Sequence, residues 1–481
     1  MLVAVLSVAA AVNAQPPVSE CGEEIGNRPA TFPAERGAGT SLSLSPRPDE
    51  LFPAPGAEPE PPEKHKASAP PSPAQWLKDL DLTGFWEVRG GIRTQHDPHE
   101  KLASLGETRL HLDWEKFWSK FSAHVAGDFL YDEIAAEHSV DLETGQGWFD
   151  LRQANVSLTP VSFMDIRVGR QILTWGTGDL LFVNDLFPKD WQAFFIGRDI
   201  AYLKAPSDAV KVSLYSDLAN VDVVYTPRFD ADRYVTGQRL SYFNMALDRQ
   251  AGRDAVVHAQ TPDEWFEDDE WAARIFKNIR GYEVAAYGYW GYWKSPAGMN
   301  PISGKATFPR LSVYGASVRG KFLKGIGYVE AGYYDSREDR DGDNLFVNNS
   351  QLRLLGGYEQ DLSQISPDLT VGVQYYIEWM MDYDAYRHAL PPGSKMADEV
   401  HHVLTCRITK KLLNQNLILG LFSYYSPSDS DAYIRPNIQY KINDHWTVEG
   451  GGNVFFGAND FTFFGQFDRD SNVYVALRYG F

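Results

Sequence analysis

The sequence predicts an all-β fold, a transmembrane antiparallel β-barrel of about 18 strands behind a disordered N-terminal arm. Three observations carry that expectation. Apolar and polar residues alternate with a period of two from Leu82 nearly to the last residue. The connections between the segments so marked switch regularly between tight turns and long loops. The 481 residues, at a mean hydropathy of -0.35, contain no apolar run long enough for a helical span. Any membrane crossing must therefore be made by strands, whose lipid-facing residues are only every second one.

The chain divides into three expected parts. Met1 to Ala14 holds a short apolar core ending in small residues at Val12 and Ala14, the pattern of a signal peptide (1–14) cleaved before Gln15. Residues 15–75 hold 14 of the 28 prolines and a net charge of -4. Such a tract buries too little apolar surface to offset its ordering entropy and is expected to be a disordered, Pro-rich periplasmic arm. Residues 76–481 are expected to form the outer-membrane β-barrel, which carries the remaining -15 of the total -19. That acidity excludes nucleic-acid binding through a basic face. Cys21 and Cys406 form no CxxC or CxxCH unit, so two free thiols are expected and no zinc or haem motif exists.

Period-two segments fall near 82–94, 104–115, 120–132, 147–159, 163–173, 208–216, 219–228, 270–278 and 281–293. The second half adds 309–321, 325–336, 349–361, 368–381, 398–411, 415–425, 430–441, 445–457 and 471–481. Alternation alone does not separate a barrel from a soluble sandwich. Connection lengths do. The connections after even strands are tight, such as Lys116–Ser119, Asp217–Leu218 and Ile279–Arg280. Those after odd strands are mostly long, with extremes at 174–207 and 229–269. Short turns on one rim and long loops on the other is how membrane barrels are built. Trp86, Trp114, Tyr225, Trp293, Trp379, Tyr440 and Trp446 fall toward strand ends, where an interfacial aromatic girdle is expected.

The closing stretch Val473-Tyr-Val-Ala-Leu-Arg-Tyr-Gly-Phe481 resembles the assembly signal of bacterial outer-membrane proteins. The resemblance implies that Tyr479 and Phe481 are read by the barrel-insertion machinery. Arg167-Val-Gly-Arg-Gln-Ile-Leu-Thr-Trp-Gly176 resembles a segment of outer-membrane porins near the alginate-export type. What the two resemblances imply is a bacterial outer-membrane porin with lipid, insertion machinery and small hydrophilic solutes as partners. A homotrimer is a candidate assembly.

The inward rows of the first five strands are heavily charged: Glu87, Arg89, Arg93, Arg109, His111, Asp113, Glu115, Asp128, Asp150, Arg152, Asp165 and Arg167. Facing carboxylates and guanidiniums either brace the wall or set a field that sorts solutes. Of these, Glu87, Arg89, Arg93, Arg109, Asp113, Arg152 and Arg167 are the expected pore-lining residues. Residues 174–195 occupy a long-loop position yet are strongly apolar, which is wrong for a loop in water. Folding inward would bury them, leaving Asp179, Asp185, Lys189 and Asp190 at a constriction opposite Arg109, Arg152 and Arg167. The alternative is a loop packed across the barrel top or at a trimer contact.

The other long loop, 229–269, shows a helical pattern over 243–253, and Glu264–Glu270 reads as a solvated acidic face. Ile200–Leu203 could add a piece of strand. Asp339–Asn344 has the acid spacing of a calcium loop, but its glycine is misplaced and no bidentate glutamate follows. His401 and His402 point to opposite faces of a strand and cannot share a metal.

The function these features predict is a non-enzymatic channel for small hydrophilic solutes, without cofactor and with a modest cation preference. An exporter of an anionic polysaccharide would need a continuous Arg/Lys track. A barrel enzyme would need an outward Ser/His pair at matching depth on adjacent strands, and none is present.

Overall fold

The computed structural model describes residues 81–481 apart from 136 and 245. The expected signal peptide and Pro-rich arm, with Cys21, lie outside the described residues. Eighteen strands make one closed sheet. In chain order they are β1 (Leu82–Arg93), β2 (Ala103–Phe117), β3 (Phe121–Asp132), β4 (Phe149–Val161), β5 (Met164–Ile172), β6 (Pro206–Leu214), β7 (Asn220–Thr226), β8 (Glu270–Ile279) and β9 (Tyr282–Tyr292). The remainder are β10 (Arg310–Phe322), β11 (Gly325–Ser336), β12 (Gln351–Asp361), β13 (Leu369–Met380), β14 (Val400–Leu412), β15 (Leu417–Ser426), β16 (Asp431–Lys441), β17 (Trp446–Gly457) and β18 (Asn472–Gly480). Each expected strand has its counterpart, and each pairs antiparallel with its chain neighbours.

Closure joins β1 to β18 in the register Phe85↔Gly480 through Arg93↔Asn472. Phe481 extends the seam by exchanging two backbone hydrogen bonds with Gly84, at 3.0 and 3.1 Å. Without an edge, every strand backbone finds its partners inside the sheet, which is what a hydrocarbon surrounding demands. Pro436 lies within β16 and has no N–H to give. The ladder to β17 is accordingly interrupted between Ile434 and Asn437.

The outer surface is inverted relative to that of a soluble protein. Val88, Val125, Val168, Ile275, Val318, Val329, Val373, Leu404, Ile438 and Val475 stand exposed around the wall. Two aromatic belts bound this apolar band. Phe117, Trp118, Phe121, Phe163, Tyr282, Phe322 and Tyr440 ring the turn side, and Phe129, Trp148, Trp271, Trp290, Tyr314, Tyr333, Trp379 and Tyr425 the loop side. That is the exterior of a membrane-spanning barrel.

Four local expectations are corrected. Trp293 is only 1 % exposed, because it follows the last ladder residue of β9 and turns inward against Tyr334, at 5.7 Å between ring centroids. Residues 243–253 form no helix. Tyr242–Asn244 pairs with Arg249–Ala251 as a small hairpin, turned by Asp248 in the left-handed region. Ile200–Leu203 is a 3-10 turn capped by the Asp199 carboxylate, which accepts from the Ala201 N–H at 3.0 Å. Glu270 is not solvated; it is buried and accepts from Lys294 Nζ at 2.6 and 2.8 Å.

Removing Phe481 deletes the last two hydrogen bonds of the closing seam. The assembled fraction, measured as the heat-modifiable band on gels, should fall several-fold at unchanged synthesis. Wild-type assembly in the truncated chain would contradict this role.

Candidate functional site: the loop-filled lumen

Residues 173–205, between β5 and β6, fold into the barrel. Leu180, Leu181, Val183, Phe194, Phe195 and Ile196 are essentially fully buried. The local sequence explains the path. Asp190 caps the short helix Trp191–Ile196, its carboxylate accepting from the Ala193 N–H at 2.7 Å. Gly197 ends that helix in the left-handed region, where a Cβ would also stand 2.5 Å from the Tyr474 ring. The helix presents Phe194 and Phe195 to an aromatic wall of Tyr433, Phe455 and Phe467, at 5.0–5.7 Å between centroids. Burying a side chain of that size contributes about 1.5–3 kcal/mol, so several together hold the loop firmly.

The constriction residues find partners other than those the sequence suggested. Asp179 accepts from Arg407 on β14 at 2.6 and 2.9 Å. Asp185 pairs with Lys189 at 3.0 Å, and Lys189 also donates to the Phe187 carbonyl at 2.6 Å. Burial draws the Lys189 ammonium below its ordinary range, with Asp185 and Asp232 acting against that shift. Asp190, besides capping the helix, meets Arg233 from the 227–269 loop at 3.3 Å. None of these acids pairs with Arg109, Arg152 or Arg167. The loop crosses to the far wall and uses cations there and within the loops.

The charged rows of β1–β4 are present, but Glu87, Arg89, Arg93, Arg109, Asp128, Asp150 and Arg152 are each at most 4 % exposed. They lie buried beneath the loops. Arg89 bridges Glu87 and Glu449, both at 2.9 Å, and also donates from Nη1 to the Gly197 carbonyl at 2.9 Å. Arg109 joins Glu107 to Asp128 at 3.1 and 2.6 Å. Tyr202 sits against the Arg109 and Arg152 guanidiniums, at 4.1 and 5.0 Å, and donates to Asp128 at 3.2 Å. Arg152 donates to the Lys204 carbonyl at 2.6 Å. From the loop, Arg198 reaches Glu107 and Asp199 reaches Arg478, at 2.8 and 2.7 Å. Arg93 binds Asp470 at 3.1 Å and the Arg239 carbonyl at 2.6 Å.

Of the expected pore-lining residues, Asp113 and Arg167 lie nearer the turn rim and remain half-buried. Asp113 faces His124 at 3.1 Å and Arg167 donates to Ser157 at 3.0 Å. His401 meets Asp429 while His402 stacks on Tyr375, so the two imidazoles do point to opposite faces. Sequence reasoning missed Glu107, Arg198, Arg233, Glu330, Arg407 and Glu449. Most lie on later strands or loops, whose relation to the first five strands only the closed topology supplies. The in-phase charge at Glu107 and Glu449 was the available signal.

A scan against protein-family models finds no match, and a search of curated proteins finds none. Among solved structures, OccAB1 of Acinetobacter baumannii matches with a TM-score of 0.50 at 10 % identity, covering 84 % of this chain and 97 % of that one. OccAB4 of the same organism matches with a TM-score of 0.50 at 8 % identity, covering 83 % and 97 %. The likeness is one of fold. It gives no support to the resemblance to alginate-export porins drawn from Arg167–Gly176. In the structure that segment completes β5 and starts the inward loop.

The second inserted loop, 227–269, carries a titrating anchor. Burial raises the Asp230 carboxyl to about 7, with Lys294 lowering it and Glu270 and Glu143 raising it. It accepts from Ser207 Oγ at 2.6 Å and from the Asp208 N–H at 3.0 Å. A folded value above the unfolded one means that docking is favoured by the bound proton. That contribution is complete below pH 3.8 and is lost as pH rises through about 7. Hydrogen exchange in 227–269 should therefore quicken from pH 6 to pH 8 beyond the intrinsic pH effect, and Asp230→Asn should flatten the excess. The same excess in the variant would count against Asp230 as the anchor.

Proposed function

We propose that the protein is a non-enzymatic channel of the bacterial outer membrane, passing small hydrophilic solutes through a lumen narrowed by residues 173–205. The observation that carries this reading is a lipid-facing closed barrel whose strongly apolar loop 173–205 lies inside it. A barrel of 16–18 strands is wide enough to leave an aqueous channel. Loops that fill it, and not the strands, then set what passes.

The anionic-polysaccharide exporter is less well supported. Arg89, Arg93, Arg109, Arg233, Arg407 and Arg478 each face a carboxylate at 2.6–3.1 Å, which breaks up an uncompensated basic track. Tyr479 and Phe481, at the closing seam, are placed in this reading where the insertion machinery would grip an unfinished barrel.

Replacing 178–190 with a short Gly/Ser linker tests the constriction. Single-channel conductance in planar bilayers should rise and larger sugars should pass, while heat-modifiability stays intact. In a salt gradient the pore should favour cations modestly, and less so as salt screens the lumen. Unchanged conductance from a correctly inserted barrel would refute the constriction, and strong anion selectivity would return the exporter to favour.

A further inference from the structure

Glu330 lies on the inward row of β11 and is 1 % exposed. Its carboxylate accepts five hydrogen bonds, all from the inserted loop. Oε2 receives the Thr177 N–H at 2.8 Å, the Thr177 hydroxyl at 3.0 Å and the Gly178 N–H at 3.2 Å. Oε1 receives the Asn184 N–H at 2.8 Å and its side-chain amide at 2.9 Å. None of these donors is a cation. A buried carboxylate without a cation is costly unless its lone pairs are filled, and here the loop backbone fills them. Gly176 permits the wrap, since it sits at φ +87° and a Cβ there would stand 3.0 Å from Oε1.

The wall beside Glu330 is cut to match. Gly315 on β10 and Gly332 on β11 are directly paired across the ladder and both face inward. A Cβ at Gly315 would stand 1.7 Å from Asn184 Oδ1, and one at Gly332 would stand 3.0 Å from Val183 Cγ1. The Tyr334 hydroxyl donates to the Val183 carbonyl at 2.6 Å, and Asn184 donates to the Ala331 carbonyl at 3.1 Å. A carboxylate and a two-glycine recess thus receive Val183 and Asn184 as a socket receives a peg. The barrel itself does not use this socket, because the β10–β11 and β11–β12 registers run unbroken through Glu330.

We propose that Glu330 is the positioning residue that latches the inserted loop and so fixes the size limit of the channel, an inference that rests on the channel reading above. With the loop docked, five loop donors solvate the carboxylate. With the loop released, lumen water does so, which makes release feasible without unfolding the wall.

The test compares five variants with the wild type in planar bilayers and in liposome swelling with sugars of graded size. Glu330→Ala should raise conductance several-fold and admit larger sugars. Glu330→Gln, which turns an amide donor toward loop N–H groups, should give a smaller rise. Gly332→Val leaves the carboxylate intact but fills the recess, and should act in the same direction. Glu330→Ala in the chain with 178–190 replaced should add nothing further. Heat-modifiability establishes assembly in each case. If the loop replacement raises conductance while Glu330→Ala and Gly332→Val, fully assembled, conduct as the wild type, the latch is overturned and the channel reading stands. An additive effect in the combined chain would likewise overturn it. If the loop replacement itself changes nothing, the constriction fails and the latch falls with it.

Discussion

Closure of the strand ladder is the constraint from which the rest follows. In lipid an unpaired strand edge has nothing to bond to, so β1 must meet β18 and Phe481 must meet Gly84. Once closed, the sheet has two faces that the pleat keeps apart along every strand. The outward rows become apolar between two aromatic belts, and the inward rows are free to carry charge. Closure also fixes the number of strands around the lumen. Eighteen strands enclose more space than their own inward side chains fill. The sequence answers that excess with two long, partly apolar loops, and it is they that occupy the interior.

The inward charges acquire a different meaning once the loops are in place. Glu87, Arg89, Arg109 and Arg152 look like a lining for water when the strands are considered alone. In the folded chain they belong, with Glu107, Asp128 and Arg478, to the face on which Gly197, Arg198, Asp199, Tyr202 and Lys204 dock. Deleting one partner of such a buried pair costs about 3–5 kcal/mol, because the other charge is left stranded. The network therefore specifies one loop position more than it stabilises the barrel. Next to it, across the closing seam, the docking surface is of another kind, with the aromatic rings of β15–β18, and across the lumen it is the Glu330 socket on β11. The loop is held by a charged network, an aromatic wall beside it and a carboxylate socket opposite.

Much of this was legible in the sequence. All 18 strands follow from period two and from the alternation of connection lengths, since both are local properties that the ladder merely repeats. The apolar character of 174–195 pointed to burial of that loop, either inside the barrel or packed across its top. What the sequence withheld was pairing across the lumen. Asp179 meets Arg407, which lies 228 residues away along the chain, and no periodicity relates the two. Trp293 was misplaced because strand phase predicts a side chain only while the ladder lasts, and the ladder ends at Tyr292. Glu270 looked solvated beside its acidic neighbours, yet it is the first residue of β8 and points inward at Lys294. The hairpin at 242–251 carries too few residues for period two to show against a helical pattern.

The central claim is that residues 173–205 sit inside the membrane-embedded barrel, seated on the β10–β11 wall. A disulfide between Val183→Cys and Gly332→Cys tests it most directly, in a chain with Cys21 and Cys406 replaced by alanine. The 3.0 Å between Val183 Cγ1 and a Cβ at Gly332 is close to what a disulfide places between one sulfur and the opposite Cβ. Purified from membranes under mild oxidation, the assembled barrel should hold this cross-link almost completely, with no free thiol until it is reduced. An assembled, heat-modifiable barrel that keeps both thiols free under the same oxidation would contradict the account.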